Sequence, residues 1–522
     1  MNWQLSRVFG VCLLMLAVVG GCAVNPVTGQ RELTLVSDSQ AIAIGQEQYA
    51  PAQQMQGGAY TTDPELSRYV NEVGQRVAAH SGVDLPYEFV VLNHSVPNAW
   101  ALPGGKIAIN RGLLNELNSE AELAAVLGHE VAHAAARHGA KRIERGLVSQ
   151  GLVLGTAVAM GGQRYGAYAV QGAQLAAGLL GQKYSRDAER EADYYGTRFM
   201  AKAGYDPQAA VDLQQTFVRL SEGRGQQSQS FLAGLFASHP PSRERVGNNQ
   251  RLVAQLRQEG FDGDLGRQAY AAAASNLREH QPAFVAYSKA QAAYDDDDLD
   301  SALTSINEAL RIANDEAIFH SLRGAIRYKQ DRFADAVTNF DRAIERDDAY
   351  FAHFLQRGLT YKQTDQRAAA KADLTQSVRL MPTGIAYTAL GQIAEDEGNP
   401  EAAKRYYAAA SGDQGNAGTA ARLGLARLEV GDQPGKYLRA SAVLGSDGSV
   451  LIVVQNQAPL AVRNVLVQVE ASTGAGVLTR NLQVGQLEAG EQRSLRAPSA
   501  IQEIRQQLTG IRAYPVAAAA SL

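Results

Sequence analysis

A chain of 522 residues is long enough for three or four domains of about 150 residues each. Apolar residues make up 45% and charged residues 20%, which excludes a disordered chain and a membrane-embedded bundle alike. The formal net charge of -4 leaves no electrostatic footprint for nucleic acid, so none is expected as a partner.

The N-terminus reads as a leader. Met1 to Arg7 is short and basic, and Val8 to Val19 is an apolar run too short to cross a bilayer comfortably. Val19-Gly20-Gly21-Cys22 then puts small residues before a cysteine, a pattern that resembles the lipobox of bacterial lipoproteins. The resemblance implies removal of residues 1–21 and a lipid on Cys22. Ala23, standing where an aspartate would retain the protein in the inner membrane, implies sorting to the outer membrane. The expected location is thus the periplasm, attached to the outer membrane by the lipid. Cys12 leaves with the leader, so no thiol pair remains to form a disulfide.

Residues 22–38 are polar, with turn residues at Asn25-Pro26 and Thr28-Gly29, and read as a tether. A helix is predicted over Ser39 to Tyr49, followed by a Gln- and Gly-rich loop from Pro51 to Tyr60. Asp63-Pro64 is an N-cap with proline at the first helical position, and Leu66, Val70, Val73 and Val77 mark a buried stripe. Tyr87 to Leu92 and Lys106 to Ile109 are rich in β-formers and read as paired strands. Between them, Asn98-Ala99-Trp100-Ala101-Leu102-Pro103-Gly104-Gly105 has two readings. One is a hairpin turn with Trp100 as a core anchor, which the residues alone favour. The other is an edge strand that pairs with an extended peptide.

Ser119 to Gly139 dominates the chain. Ser119 and Glu122 form an S-x-x-E capping box, and Leu123, Val126, Leu127 and Val131 recur at helical steps. Gly139 is the expected stop. Inside lies His129-Glu130-Val131-Ala132-His133. Histidines four apart share one helix face, so both imidazoles can converge on a metal ion, with Glu130 beside it to hold a water. Gly146 to Gly181 is apolar but interrupted by Gln150, Gln163, Arg164, Gln171 and Gln174, and is expected to form two short helices over the core. Next comes Ser185 to Asp193. Glu189 can supply a third ligand and Asp193, one turn on, can orient a ligand imidazole. Glu191 competes for the ligand role, though it does not share a helix face with Asp193. A solvated charged helix is the plain alternative. His138 reads as a charge near a helix C-terminus.

Four motifs in order now resemble a known family. H-E-x-x-H, S-R-x-x-E-x-x-x-D, N-A-W-A-L-P-G-G and a later H-P-P look like metallopeptidase family 48, the HtpX and BepA type of gluzincin, over residues 37–256. The resemblance implies an α+β zincin-like fold and one zinc ion held by His129, His133 and Glu189. It implies Glu130 as catalytic base, Asp193 supporting the ligands, and Asn98, Ala99, Trp100 and Ala101 along the substrate cleft. In Ser238-His239-Pro240-Pro241 it implies that His239 approaches the metal, either as a fourth ligand keeping the site latent or as a partner of the reaction's oxyanion. A histidine capping a turn is the alternative.

The back half repeats. Ala302, Ile306 and Ala309 recur 34 residues on as Ala336, Phe340 and Ala343, and again as Ala370, Leu374 and Ser377. Ala403, Tyr407 and Ala410 follow one residue early. The period is that of tetratricopeptide repeats, whose helix pairs pack closely at small residues such as Gly324, Gly358 and Gly391. Tyr294 to Asp298 is read as an acidic turn capping the next helix, not a calcium loop. Val450 to Gln455, Val462 to Glu470 and Leu482 to Leu487 are short β-rich runs, best read as a small β-sandwich.

The expected organisation is therefore leader 1–21, tether 22–38, metallopeptidase domain 39–260, helical linker 261–281, an all-α repeat solenoid 282–433 and an all-β domain 434–522. The expected function is a zinc endopeptidase acting on unfolded or misassembled envelope proteins, with repeats recruiting clients or outer-membrane assembly machinery. The rival is an assembly scaffold whose protease site stays largely latent.

Overall fold

The computed structural model describes residues 22–149, 183–222, 239–240 and 242–521. The leader 1–21, and all but the start of the apolar stretch 146–181, lie outside the described residues. The chain divides into two compact units. One runs to Thr364 and adds Arg379–Met381; the other takes Asp365–Val378 and residues from Pro382 onward.

In the first unit, the stretch expected to be a tether is instead a small hairpin. Cys22–Val24 (β1) pairs antiparallel with Arg31–Leu33 (β2). It is tied down because its polar side chains find buried partners: Asn25 Nδ2 donates to the Ala136 carbonyl at 3.0 Å, and Lys141 pairs with Glu32 at 2.7 Å. The first helix, Asp38–Gln54 (α1), runs five residues beyond the expected end. Ser37 and Gln40 form a reciprocal capping box at its start, and Pro51 is carried inside its last turn. Pro64–Ala78 (α2) starts at the Asp63 cap and buries Leu66, Val70, Val73 and Val77 as its period predicts.

Glu88–Leu92 (β3), Ala99–Leu102 (β4) and Lys106–Asn110 (β5) form one sheet in the order β3-β5-β4. β3 and β5 are parallel, while β4 runs antiparallel to β5 through the Pro103-Gly104-Gly105 turn. Gly104 and Gly105 take φ of 79° and 86°, which side chains other than glycine resist. The segment is thus at once a hairpin turn and the outer strand of its sheet.

Glu120–Ala135 (α3) is buried on almost every face, with His129 the partial exception. His138–Ser149 (α4) follows after two residues, and the turn is made by Arg137 at φ 60°, not by Gly139, which lies inside α4. Across α3 packs Arg186–Lys202 (α5). A methyl group at Gly196 would lie 2.7 Å from the Gly128 carbonyl, so two glycines let the backbones nearly touch where they cross. This crossing brings the acidic start of α5 against His129. Gln208–Glu222 (α6) and Arg243–Gln258 (α7) complete the domain.

The linker docks on this domain: the Tyr270 hydroxyl donates to the Leu114 carbonyl at 2.6 Å. Gln281–Asp295 (α8), Leu299–Ile312 (α9), Ala317–Lys329 (α10), Phe333–Arg346 (α11) and Phe351–Gln363 (α12) are the antiparallel helices of the repeats. Ala302, Ile306, Ala309, Ala336, Phe340 and Ala343 are fully buried between them. A methyl at Gly324 would sit 2.7 Å from the Phe340 ring, the close packing that the glycine permits. Phe284 and Phe319 share one apolar core with α2 and α3. Arg111 lies 3.3 Å above the Phe284 ring and donates from Nε to Asn93 at 2.7 Å, so protease and first repeats fold as one body.

His353 in α12 is fully buried, neither ring nitrogen is hydrogen-bonded among the described residues, and burial pushes its pKa down to about 3. In the unfolded chain it titrates near the ordinary ~6.5, so as pH falls the unfolded state takes the proton first. Stability is therefore lost from about pH 6.5 down to about pH 3. Replacing His353 by leucine is expected to make the acid slope of unfolding free energy shallower, by up to ~1.4 kcal/mol per pH unit. Denaturant titrations between pH 3 and 7 measure this, and an unchanged slope would contradict it.

The second unit holds Arg367–Leu380 (α13) for most of its length, Gly384–Asp396 (α14), Pro400–Ala410 (α15) and Asn416–Glu429 (α16). Ala403, Tyr407 and Ala410 are buried, and Tyr407 closes on Gly391 and Gly424. Two antiparallel three-stranded sheets follow, with Leu438–Leu444 (β6), Val450–Asn456 (β7), Val462–Thr473 (β8), Gly476–Leu487 (β9), Gln492–Arg496 (β10) and Leu508–Ala520 (β11) in the orders β10-β7-β6 and β11-β8-β9. Val450, Ile452 and Val454 of one sheet share a core with Val465, Val467 and Val469 of the other. The sequence reading missed three strands. β10 is short and polar, and β11 hides behind Pro515 and an alanine run, the proline being followed by a register shift.

Candidate metal centre

The centre is built from two helices and one short segment. Ser119 caps α3 by accepting from the Glu122 N–H, while the Glu122 carboxylate turns to the Asn118 N–H, so half of the expected capping box forms. One turn apart on α3, His129 Nε2 and His133 Nε2 lie 3.0 Å from each other. Ser185 caps α5 and its first turn delivers Glu189, whose Oε1 is 3.3 Å from His133 Nε2. His239 completes the group: its Nδ1 is 3.3 Å from His129 Nε2 and 3.0 Å from Glu189 Oε1. One donor atom from each of the four lies within 4.8 Å of the others. Among these, only His129 is more than 6% exposed.

Asp193 stands behind His129, Oδ1 to Nδ1 at 3.1 Å. Glu191 does not join the donor group. It pairs with His138, which is buried, touches His133 and opens α4, where a charge near a helix C-terminus was expected. Asn98, Ala99, Trp100 and Ala101 lie on or beside β4, the outer strand of its sheet, and Ala99 lines the same cleft as His129, Glu130 and His239.

Two contributors escaped the sequence reading. Arg245, on the third residue of α7, forks both Asp193 oxygens at 2.7 Å and reaches Glu189 Oε2 at 2.9 Å. Tyr184 stacks on the His133 ring at 3.9 Å between centroids and donates to the Ala101 carbonyl. A tyrosine ahead of a serine cap carries no sequence signal for that.

Electrostatics follow from burial and neighbours. Burial pushes Asp193 up, but the charge and hydrogen bonds of Arg245 outweigh it and hold the carboxyl below its ordinary value. For Glu189, burial is likewise overcome, first by the His239 charge and then by hydrogen bonds from His129, His133 and His239. For Glu130 burial wins, pushing its carboxyl up against the pull of the His239 and His129 charges. Two neighbouring carboxylates are thereby driven apart, one toward charge and one toward proton uptake, the pattern expected at a reacting centre.

The donor set fits zinc. Two imidazole nitrogens and a carboxylate are its usual partners, and ligands at about 2.0–2.1 Å in tetrahedral array lie roughly 3.3 Å apart, as these atoms do. Among the described residues, Glu130 Oε2 and His239 Nε2, both buried, have no hydrogen-bond partner, although His239 Nε2 lies 3.6 Å from Glu130 Oε1.

An H-E-x-x-H helix crossed by a second helix bearing a glutamate, over a small sheet with an outer antiparallel strand, defines a metallopeptidase domain. Residues 64–252 match Peptidase family M48, and residues 385–411 match a tetratricopeptide repeat. Relatives include the mitochondrial metalloendopeptidase OMA1 of Schizosaccharomyces pombe, 36% identical over 37% of this chain and 56% of that one. The OMA1 of Arabidopsis thaliana is 34% identical over 33% of this chain and 32% of its own. The beta-barrel assembly-enhancing protease of Escherichia coli is 27% identical over 42% of this chain and 46% of its own. The chain thus spans about half, or less, of the length of these relatives.

Proposed function

We propose that the protein is a zinc-dependent endopeptidase of the bacterial envelope, hydrolysing misfolded or unassembled envelope and outer-membrane proteins. The observation that carries this reading is the convergence of His129, His133 and Glu189 beside a buried Glu130 in one cleft. One zinc ion per chain, held by those three residues, supplies Lewis acidity when bound. Glu130 takes the proton of the attacking water and passes it to the leaving amine. Asp193 accepts from His129 Nδ1–H and fixes the tautomer that leaves Nε2 free to ligate. An extended substrate pairs with β4 along Asn98, Ala99, Trp100 and Ala101; the position of β4 at the sheet's outer side supports this.

The repeats recruit clients or assembly partners, consistent with the name of the Escherichia coli relative. Lipid on Cys22 holds the protein at the outer membrane from the periplasmic side, a reading supported by the residues before that cysteine. No helix among the described residues is long and apolar enough to cross a membrane.

His239 works as a latch. Its Nδ1 fills the fourth corner of the donor group, and a zinc site closed by four protein ligands has no open position for water. Its replacement by alanine is expected to raise the rate of cleavage about tenfold, as for a latch that keeps one site in ten open. A rate lowered by that factor would assign His239 to the oxyanion instead. The same closure is what favours the second reading, a scaffold with a silent site.

Clients distinguish the two. Crosslinking in cells with Glu130→Gln as a trap should recover unfolded or unassembled envelope proteins in higher yield than the parent chain, which cleaves and releases them, whereas a scaffold would hold them equally in both. Recovery of no envelope protein would count against the proposed role.

A further inference from the structure

His133 is oriented through a second histidine. Its Nδ1 lies 2.8 Å from Nδ1 of His138, and Nε2 of His138 lies 3.0 Å from Glu191 Oε2. His138 is 4% exposed, so water does not substitute freely for these partners. The fold builds the contact deliberately. Arg137 leaves α3 in the left-handed region at φ 60°, held by its Nε to Asp38 at 2.9 Å, which folds His138 back beside the last turn of α3. Glu191 then arrives on α5 between Glu189 and Asp193.

We propose that His138 and Glu191 are positioning residues that set the tautomer and ring orientation of His133 as a metal ligand. The inference rests on the ligand reading above. The hydrogens are forced once His133 Nε2 must offer a lone pair to the donor group. His133 Nδ1–H then donates to His138 Nδ1, which leaves the proton of His138 on Nε2, where it donates to the Glu191 carboxylate. Each ligand imidazole thus has a carboxylate from α5 behind it: Asp193 directly for His129, and Glu191 through one imidazole for His133. The stacked Tyr184 ring fixes the plane in which His133 turns. Partners of this kind are worth ~10- to 100-fold in metal affinity.

The test is zinc affinity of the full chain, measured by competition with a chromophoric chelator and independent of any cleavage. His138→Phe and Glu191→Ala should each weaken zinc by about 10-fold or more. His138→Gln and Glu191→Gln, whose side-chain oxygens still accept the required hydrogen bonds, should stay within about threefold of the parent. If Glu191 acts through His138, the double variant His138→Phe, Glu191→Ala should bind no more weakly than His138→Phe alone. Additive losses, or affinities within twofold of the parent for both single variants while His133→Ala loses zinc, would overturn the proposal alone. Zinc retained at parental affinity in His133→Ala would overturn the ligand reading and this inference with it.

Discussion

Glu130→Gln is expected to slow peptide-bond hydrolysis by roughly 10²- to 10⁴-fold while leaving zinc content unchanged. Glu130 is buried beside the donor group but is not part of it, and its Oε2 has no hydrogen-bond partner among the described residues. Burial pushes its carboxyl up, toward the range in which a base can take a proton from water and return it to an amine. Glutamine keeps the shape and removes that proton traffic, so the domain should fold and load metal as before. Metal analysis and steady-state cleavage of an unfolded protein measure the two halves separately. Loss of zinc along with activity would make Glu130 part of the metal's support, and full activity would remove it from the chemistry.

Arg245→Met carries the second large effect, this time on stability. Its guanidinium forks Asp193 and contacts Glu189, and all three groups are buried. Removing the arginine takes from two buried carboxylates the cation that bridges them, at a cost of about 3–5 kcal/mol. Zinc replaces part of the missing positive charge, so the loss should be larger in metal-free protein than in zinc-loaded protein. Arg245→Lys should recover only a fraction, because a lysine ammonium cannot fork two carboxylate oxygens in one plane. Equal losses with and without zinc would show that Arg245 serves α5 and α7 packing alone.

What could be read from the sequence follows from how local each signal is. The H-E-x-x-H pair needs only helical periodicity, and the 34-residue step of Ala302, Ala336 and Ala370 needs only register; both features are where the spacing places them. Glu189 and Asp193 could be nominated from their spacing, but their meeting with His129 depends on Gly128 and Gly196 letting two backbones cross almost in contact. Arg245, Tyr184 and His138 reach the site through tertiary packing. His138 in particular looked like a helix-end charge because Gly139 offered a stop signal, whereas the chain turned two residues earlier at Arg137. Asn25 and Glu32 looked like tether residues for the same reason: their partners, Ala136 and Lys141, lie more than a hundred residues away. Strands β10 and β11 were obscured by polarity and by Pro515, and their place is set by pairing with β7 and β8.

The most direct test of a zinc endopeptidase is to incubate the full, zinc-loaded chain with an unfolded protein and sequence the new termini. Internal cleavage is expected, abolished by a chelator, restored by stoichiometric zinc, and faster in His239→Ala. Stoichiometric zinc with no new termini, in either the parent chain or His239→Ala, would contradict it and leave the scaffold as the function of this fold.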